Sequence, residues 1–366
     1  MTKIYINGKC FAQSLTGVQR FGEELIQALD CRFCSLTNDG ITAELLVPDV
    51  PQLRIPHLKH IRVVRLPARQ LHLWEQFVLP WHTRGHLLLN LAGSAPLLKR
   101  NQVCTFHDAA IFDFPQAYSR AFILWYRFLF RTQAVIATGL LTVSQFSRQR
   151  LSHHLKVSPH RLGIVSNGAD HMIDVGMDAT VMERLGLSPK SYLLAVGSTH
   201  PAKNFARLLE AFEQSEKRGV QLVVVGGANH GVFASDTKAI APRSGVVRAG
   251  RVSDEELRAL YRNAKAFLFP SLYEGFGIPP LEAMAAGCPV IAANAASIPE
   301  VCGDAVGYFD PLNTDDIQRC VQRAIDDEEW LNSLRIAGGR RVGQFTWSRS
   351  AGQLIAELKR IGVVKS

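Results

Sequence analysis

Pro270-Ser-Leu-Tyr-Glu-Gly-Phe-Gly-Ile-Pro-Pro-Leu-Glu-Ala-Met-Ala-Ala-Gly-Cys-Pro289 follows a short apolar run, residues 266–270, whose composition is that of a buried strand. Gly275 and Gly277 lie in the loop that comes next, where missing side chains let a ligand approach the backbone. Pro279 and Pro280 sit where a helix begins, with Glu282 expected in its first turn, and Gly287 with Pro289 ends it. The unpaired N–H groups and positive dipole end of such a helix make a ready site for a diphosphate. Two carboxylates, Glu274 before the helix and Glu282 within it, flank that site and can reach toward neutral hydroxyls. A ligand with hydroxyls on both sides of its phosphates fits, and a sugar nucleotide has that shape.

The strand–loop–helix unit recurs throughout, which is the pattern of an α/β protein with parallel sheets. Residues 3–7 read as a strand, 8–17 as its glycine-containing loop, and 18–30 as a helix with Phe21, Leu25, Ile26 and Leu29 at helical spacing. Further strands are expected at 45–47, 61–65, 86–91, 102–106, 139–143 and 161–165, and helices at 119–137 and 144–154, the latter capped by Ser144. Periodicity fades over 169–187 and then restarts with a strand at 192–196, a loop at 197–204 and a helix at 205–218. Strands at 221–225 and 245–249 follow, then a helix at 253–264 with Ser253 and Glu256 in capping-box spacing. The restart places a linker near 172–185 and implies two Rossmann-like domains, residues 1–175 and 185–347, facing across a cleft.

The composition, 366 residues with 47% apolar and 20% charged, gives no case for disorder or a disulfide scaffold. Its net charge of +9 is uneven: residues 1–180 hold nineteen basic and twelve acidic side chains, and ten of the twelve histidines. Such an excess points to nucleic acid, an anionic membrane face or a phosphorylated ligand. No recognised nucleic-acid module appears, which removes the first. Of seven cysteines only Cys31 and Cys34 form a C-x-x-C, and ordinary thiols in a reducing compartment are expected. The N-terminus has no apolar signal core and no stretch reaches the ~18 apolar residues of a membrane span. A cytoplasmic protein, or one attached to a membrane by its surface alone, is expected.

Glu274-x7-Glu282 in its strand–loop–helix, with Pro289-Val-Ile-Ala-Ala and Ile298-Pro-Glu-Val301, resembles the signature of retaining GT-B glycosyltransferases of family GT4. Gly17-Val-Gln-Arg20, Thr105-Phe-His-Asp108, Thr142–Arg148, Val165–Asp170, Val196-Gly197 with Lys203-Asn204, and Gly250–Ser253 fall in the family's order over nearly the whole chain. The resemblance implies a donor site in which Glu274 contacts sugar hydroxyls, Glu282 holds the ribose and Lys203 meets the diphosphate, in place of a metal. It also places Gly17, Ser198, Arg251 and the loop Gly275-Phe276-Gly277 against the donor, with His107 near the reacting sugar and Arg20 and Asp108 toward the acceptor. No metal and no cofactor beyond the nucleotide diphosphate sugar is implied. Ser198 departs from the pattern, because many relatives carry an arginine there. A last helix, within 348–366, is expected to pack back on the first domain, as in the family.

Each of these residues also has a purely structural reading: helix-start carboxylates, a surface lysine, a buried histidine bonded to Asp108 or to backbone. Gly226-Gly227 after a strand resembles part of a dinucleotide fingerprint, but without G-x-G-x-x-G it makes a poor case for a dehydrogenase. The opening Leu15–Phe21 is most similar to bacterial polysaccharide transferases, several of which use GDP-mannose, so mannosyl transfer to a lipid-linked or oligosaccharide acceptor is expected. Two rivals are a sugar-nucleotide 2-epimerase on the same fold, which would release UDP without acceptor, and a non-catalytic sugar-nucleotide-binding subunit. Aromatic and basic residues interleave at Leu71–Arg84 and Tyr118–Arg131. Exposed on one face, they would meet an anionic membrane surface. For the second segment a buried helix is expected.

Overall fold

The computed structural model describes residues 2–38, 40–227 and 243–364. The chain divides into two compact units, the first Met1–Ala109, Leu124–Gly168 and Trp347–Ser366, the second Ala110–Ile123 and Ala169–Thr346. Each is built on a parallel sheet.

In the first unit β1 (Thr2–Asn7), β2 (Ile41–Asp49), β3 (Arg62–Pro67), β4 (Leu87–Asn90), β5 (Gln102–Thr105), β6 (Gly139–Thr142) and β7 (Leu162–Ile164) lie in the order β3-β2-β1-β4-β5-β6-β7. In the second, β8 (Tyr192–Val196), β9 (Gln221–Val225), β10 (Val246–Gly250), β11 (Ala266–Phe269), β12 (Val290–Ala293) and β13 (Gly307–Phe309) lie in the order β10-β9-β8-β11-β12-β13. Both are doubly wound, and the direction of winding reverses between β1 and β4 and between β8 and β11. Strands β4, β5, β6, β11 and β12 are buried along their whole length, as helix-covered parallel strands must be. The edges β3 and β10 are partly exposed.

Several elements differ in length from the sequence reading. The first helix runs over Gly17–Asn38, well past residue 30, and the helix after β8 stops at Glu213. Both predicted caps are present: Ser144 Oγ accepts from Ser147 N at 3.0 Å, and Ser253 with Glu256 closes a reciprocal box. Cys31 is an exposed free thiol, while the side chain of Cys34 lies outside the described residues.

Residues 71–82 form one helical run whose middle turn, Trp74–Val78, is π-helical. Its Glu75 is buried and accepts from Lys9 Nζ at 2.8 Å, Ser94 Oγ at 2.8 Å and Asn7 Nδ2 at 3.2 Å. Asn7 continues the network to Asn90, and Asn90 to Gln102. The helix Arg120–Ile136 corrects the expectation of burial: Leu129 and Phe130 enter the core, Phe130 stacked on Phe106, while Trp125 and Phe128 stand exposed. Its buried side chains, Leu129, Phe130, Gln133 and Ala134, share one face. Trp347–Arg360, the last helix, lies in the first unit, where Gln353 Oε1 accepts from both N and Oγ of Ser166 at 2.9 Å and Ser348 meets Arg32.

Candidate active site

Register brings the ends of β8 and β11 side by side, with Ala266 opposite Leu193 and Phe267 opposite Leu194. The two loops that leave them therefore emerge together at the switch point of the second sheet, where open parallel sheets bind ligands. A hydrogen bond from Leu272 N to Ala202 O, 2.7 Å, ties one loop to the other.

After β8 the chain passes Gly197 and the half-buried Ser198, then tightens into the single turn Pro201–Lys203. After β11 it runs through Ser271–Gly277 into the helix Ile278–Ala285. Gly277 caps that helix at φ 96°, a backbone a side chain would strain, and a proline occupies its opening turn. Ser297 Oγ lies 2.9 Å from the carbonyl oxygens of both Glu274 and Phe276, bracing the loop from beneath. Gly275 and Phe276 are buried, and Phe276 packs edge-on against Phe345.

Lys203 Nζ and Glu274 Oε1 form an ion pair at 2.6 Å, their side chains 23% and 14% exposed. The sequence reading sent these two residues to different parts of one ligand; here they are each other's partner. Glu282 does not lie in the first turn of its helix, as expected, but one residue beyond it, because the helix already starts at Ile278. It is buried, with Oε1 3.1 Å from Nε2 of His171. Neither carboxylate stands alone.

His171, His200, Tyr273 and Ser297 were missed by sequence reading. His200 accepts at Nδ1 from Ala202 N, 3.1 Å, and its ring lies near those of Tyr118 and Phe114. Burial first, then the charge of Lys203, pushes its pKa down to about 4, so the ring is neutral at pH 7. Tyr273 donates to Asp113 at 2.9 Å. Nothing in the spacing of these residues marks them; each is placed by the fold. Arg251 is exposed beyond β10 and packs over Gly227. Gly226 has its own structural cause, since at φ 129° a Cβ would stand 2.0 Å from Gly197 O.

In the first unit a second group gathers at the ends of β4 and β5. His107 is half-buried, and its Nε2 is 2.8 Å from Leu91 O. A carbonyl can only accept, so Nε2 carries the proton and Nδ1 is left as an acceptor. Burial lowers the pKa of His107 to about 4, against the pull of that hydrogen bond. The ring meets Phe21 edge-on at 4.9 Å, and a Cβ built on Gly93 would touch both His107 and Val18. The start of the Gly17 helix and His107 are thus neighbours. Arg20 pairs with Glu24 at 3.6 Å, and Asp108 is half-buried beside His107. Among the described residues no three His, Cys, Asp or Glu side chains are grouped to hold a metal ion.

Residues 16–172 match the model of Glycosyltransferase Family 4, and residues 180–341 that of glycosyl transferases group 1. O-antigen chain mannosyltransferase B of Escherichia coli is 30% identical over 266 residues, covering 70% of this chain and 70% of that protein. The serotype-specific mannosyltransferase WbdA of Escherichia coli is 27% identical over 237 residues, 62% of this chain but 29% of that protein. Among solved structures, Anabaena HepE in complex with UDP and glucose superposes with a TM-score of 0.71 at 17% identity, over 98% of this chain and 100% of that one. The chain therefore belongs to the group 1 glycosyltransferases, with a front half of the Family 4 type and the two-sheet GT-B fold.

Proposed function

We propose that this glycosyltransferase moves a hexose, mannose from GDP-mannose, to a lipid-linked or oligosaccharide acceptor in the synthesis of a bacterial surface polysaccharide. The observation that carries it is the Lys203–Glu274 pair at the switch point of the second sheet, beside the capped start of Ile278–Ala285. The helix end and Lys203 suit a diphosphate, Glu274 suits sugar hydroxyls, and Glu282 the ribose. The relatives' names supply the sugar, and the UDP and glucose bound by Anabaena HepE support a nucleotide-sugar donor.

In this reading the bond from the anomeric carbon to the phosphate oxygen breaks as the acceptor oxygen bonds to the same face. The acceptor proton passes to the departing diphosphate, so configuration is retained without a carboxylate nucleophile. His107, neutral and with Nδ1 open as an acceptor, orients a hydroxyl; Gly17 lets the donor approach the backbone, and Arg20 and Asp108 belong to the acceptor side. Ser198 takes phosphate through its hydroxyl, and Arg251 meets the base. Lys203 supplies the positive charge on the leaving group, and transfer proceeds without a divalent metal. The basic front half meets an acceptor presented at the cytoplasmic membrane face.

A thermal-shift screen against GDP-, UDP- and ADP-sugars tests the donor. GDP-mannose at a hundred times its dissociation constant should stabilise the fold by ~2.7 kcal/mol, with little shift from the others. Glu274→Ala should keep the melting temperature in buffer and lower transfer by roughly 100-fold or more. Unchanged turnover in that variant, or a product of inverted anomeric configuration by NMR, would overturn the reading. EDTA should leave the rate unaltered.

A further inference from the structure

We infer that the first unit seats on an anionic lipid bilayer through the exposed faces of two helical segments, residues 71–82 and the part of the helix Arg120–Ile136 from Leu124 onward. This deepens the functional reading above, because it says which surface meets the membrane that would present the acceptor. The first segment sorts its side chains sharply. Trp74, Glu75 and Leu79 are buried, while Leu73, Phe77 and Trp81 are 51%, 65% and 69% exposed. A spacing of four drifts around an ordinary α-helix, and the wider π turn over Trp74–Val78 keeps the three in line. The second segment shows Leu124, Phe128 and Val135 at 71%, 56% and 78%, with Trp125 beside them and Arg131 on the same stripe.

Both segments hang from one point. Gln76 and Gln133 each donate to the carbonyl of Ala95, at 3.2 and 2.9 Å, and Leu98 projects from the same loop, 85% exposed. The two segments are therefore tied to one loop of the first unit. Eight of the twelve large apolar side chains exposed among the described residues lie on these two segments and this loop, a concentration that scattered surface exposure does not give.

Charge chooses the occupant. Residues 50–169 hold fifteen Lys and Arg against three Asp and Glu, and no acid occurs between Asp113 and Asp170. Of the three, Glu75 is buried against Lys9. Arg84 lies 4.0 Å from the centroid of the Trp81 ring, so a cation accompanies an aromatic at the rim of the patch. Trp, Phe and Leu framed by arginine match the interfacial zone of an anionic bilayer. A second copy of the chain would instead bring like charge against like. The contact is peripheral: among the described residues no helix is long and apolar enough to cross a membrane.

Sedimentation of the full chain with phosphatidylcholine vesicles, with and without phosphatidylglycerol, tests this. The protein should bind the anionic vesicles, more weakly as salt rises. Two double variants, Phe77→Asp with Trp81→Asp and Leu124→Asp with Phe128→Asp, should each weaken binding by about tenfold or more. Their melting temperatures and their turnover on a water-soluble acceptor should match the parent. Variants that bind like the parent, a parent that ignores anionic vesicles, or a parental dimer that the variants dissolve would each overturn the inference. Transfer without vesicle binding removes this surface alone, and vesicle binding that follows the pattern without transfer from any donor removes the functional reading alone.

Discussion

Lys203 and Glu274 stand 2.6 Å apart, so under the proposed function a diphosphate that drew the ammonium away would also free a carboxylate for hydroxyls. A motif of two glutamates and a lysine was legible in the sequence; their pairing was not, nor was the meeting of Glu282 with His171, 111 residues away. His107 was legible as a candidate, but its tautomer is set by Leu91 O, which no spacing shows. Its desolvation has a measurable result. With a folded pKa of about 4 against an ordinary value of 6.5, the unfolded chain binds a proton between those values and the folded one does not. Stability should therefore fall as pH drops through that window, by on the order of 2 kcal/mol between pH 8 and pH 5 from this residue. His200 acts in the same direction. Urea midpoints across pH should show the slope, and His107→Gln, which still donates to Leu91 O, should flatten it; an equal slope in the variant would exclude His107 as its source.

The helices were easiest to read where a local rule sufficed. The box of Ser253 with Glu256 and the cap of Ser144 depend on residues three apart, and both are present. Arg120–Ile136 resisted because apolar side chains lie all round it, and periodicity then says nothing about which face is covered. Residues 71–82 hid more, since nothing local shows that their one acid is the hub of a buried network. Removing one partner of such a pair strands the other in a low-dielectric interior. Lys9→Met should cost about 3–5 kcal/mol in chemical denaturation, whereas Glu75→Gln, which still has an oxygen to accept from Asn7 and Ser94, should cost less. Equal losses would place the stabilisation in packing and not in the pairing of charges.

At the scale of the whole molecule the two sheets share one winding order, and the restart of the strand–loop–helix pattern near residue 192 was its trace in the sequence. The inclusion of Ala110–Ile123 with the second unit left no such trace, because a short excursion carries no periodicity of its own. The first unit is discontinuous, and its last segment is structural: Trp347 meets Phe21 at 6.1 Å, and Gln353 satisfies Ser166. A chain ending at residue 346 should thus lose the cooperative melting of its first unit while the second still shifts its melting temperature with donor; a single unaltered transition would show the helix to be dispensable. The same feature orders events during synthesis. Translation delivers residues 169–346 before Trp347–Arg360 emerges, so a segment made after the second unit completes the unit begun before it. On the ribosome the second unit can be finished while Phe21 in the first still lacks its Trp347 neighbour, which makes arrival of the helix Trp347–Arg360 the step that closes the first unit.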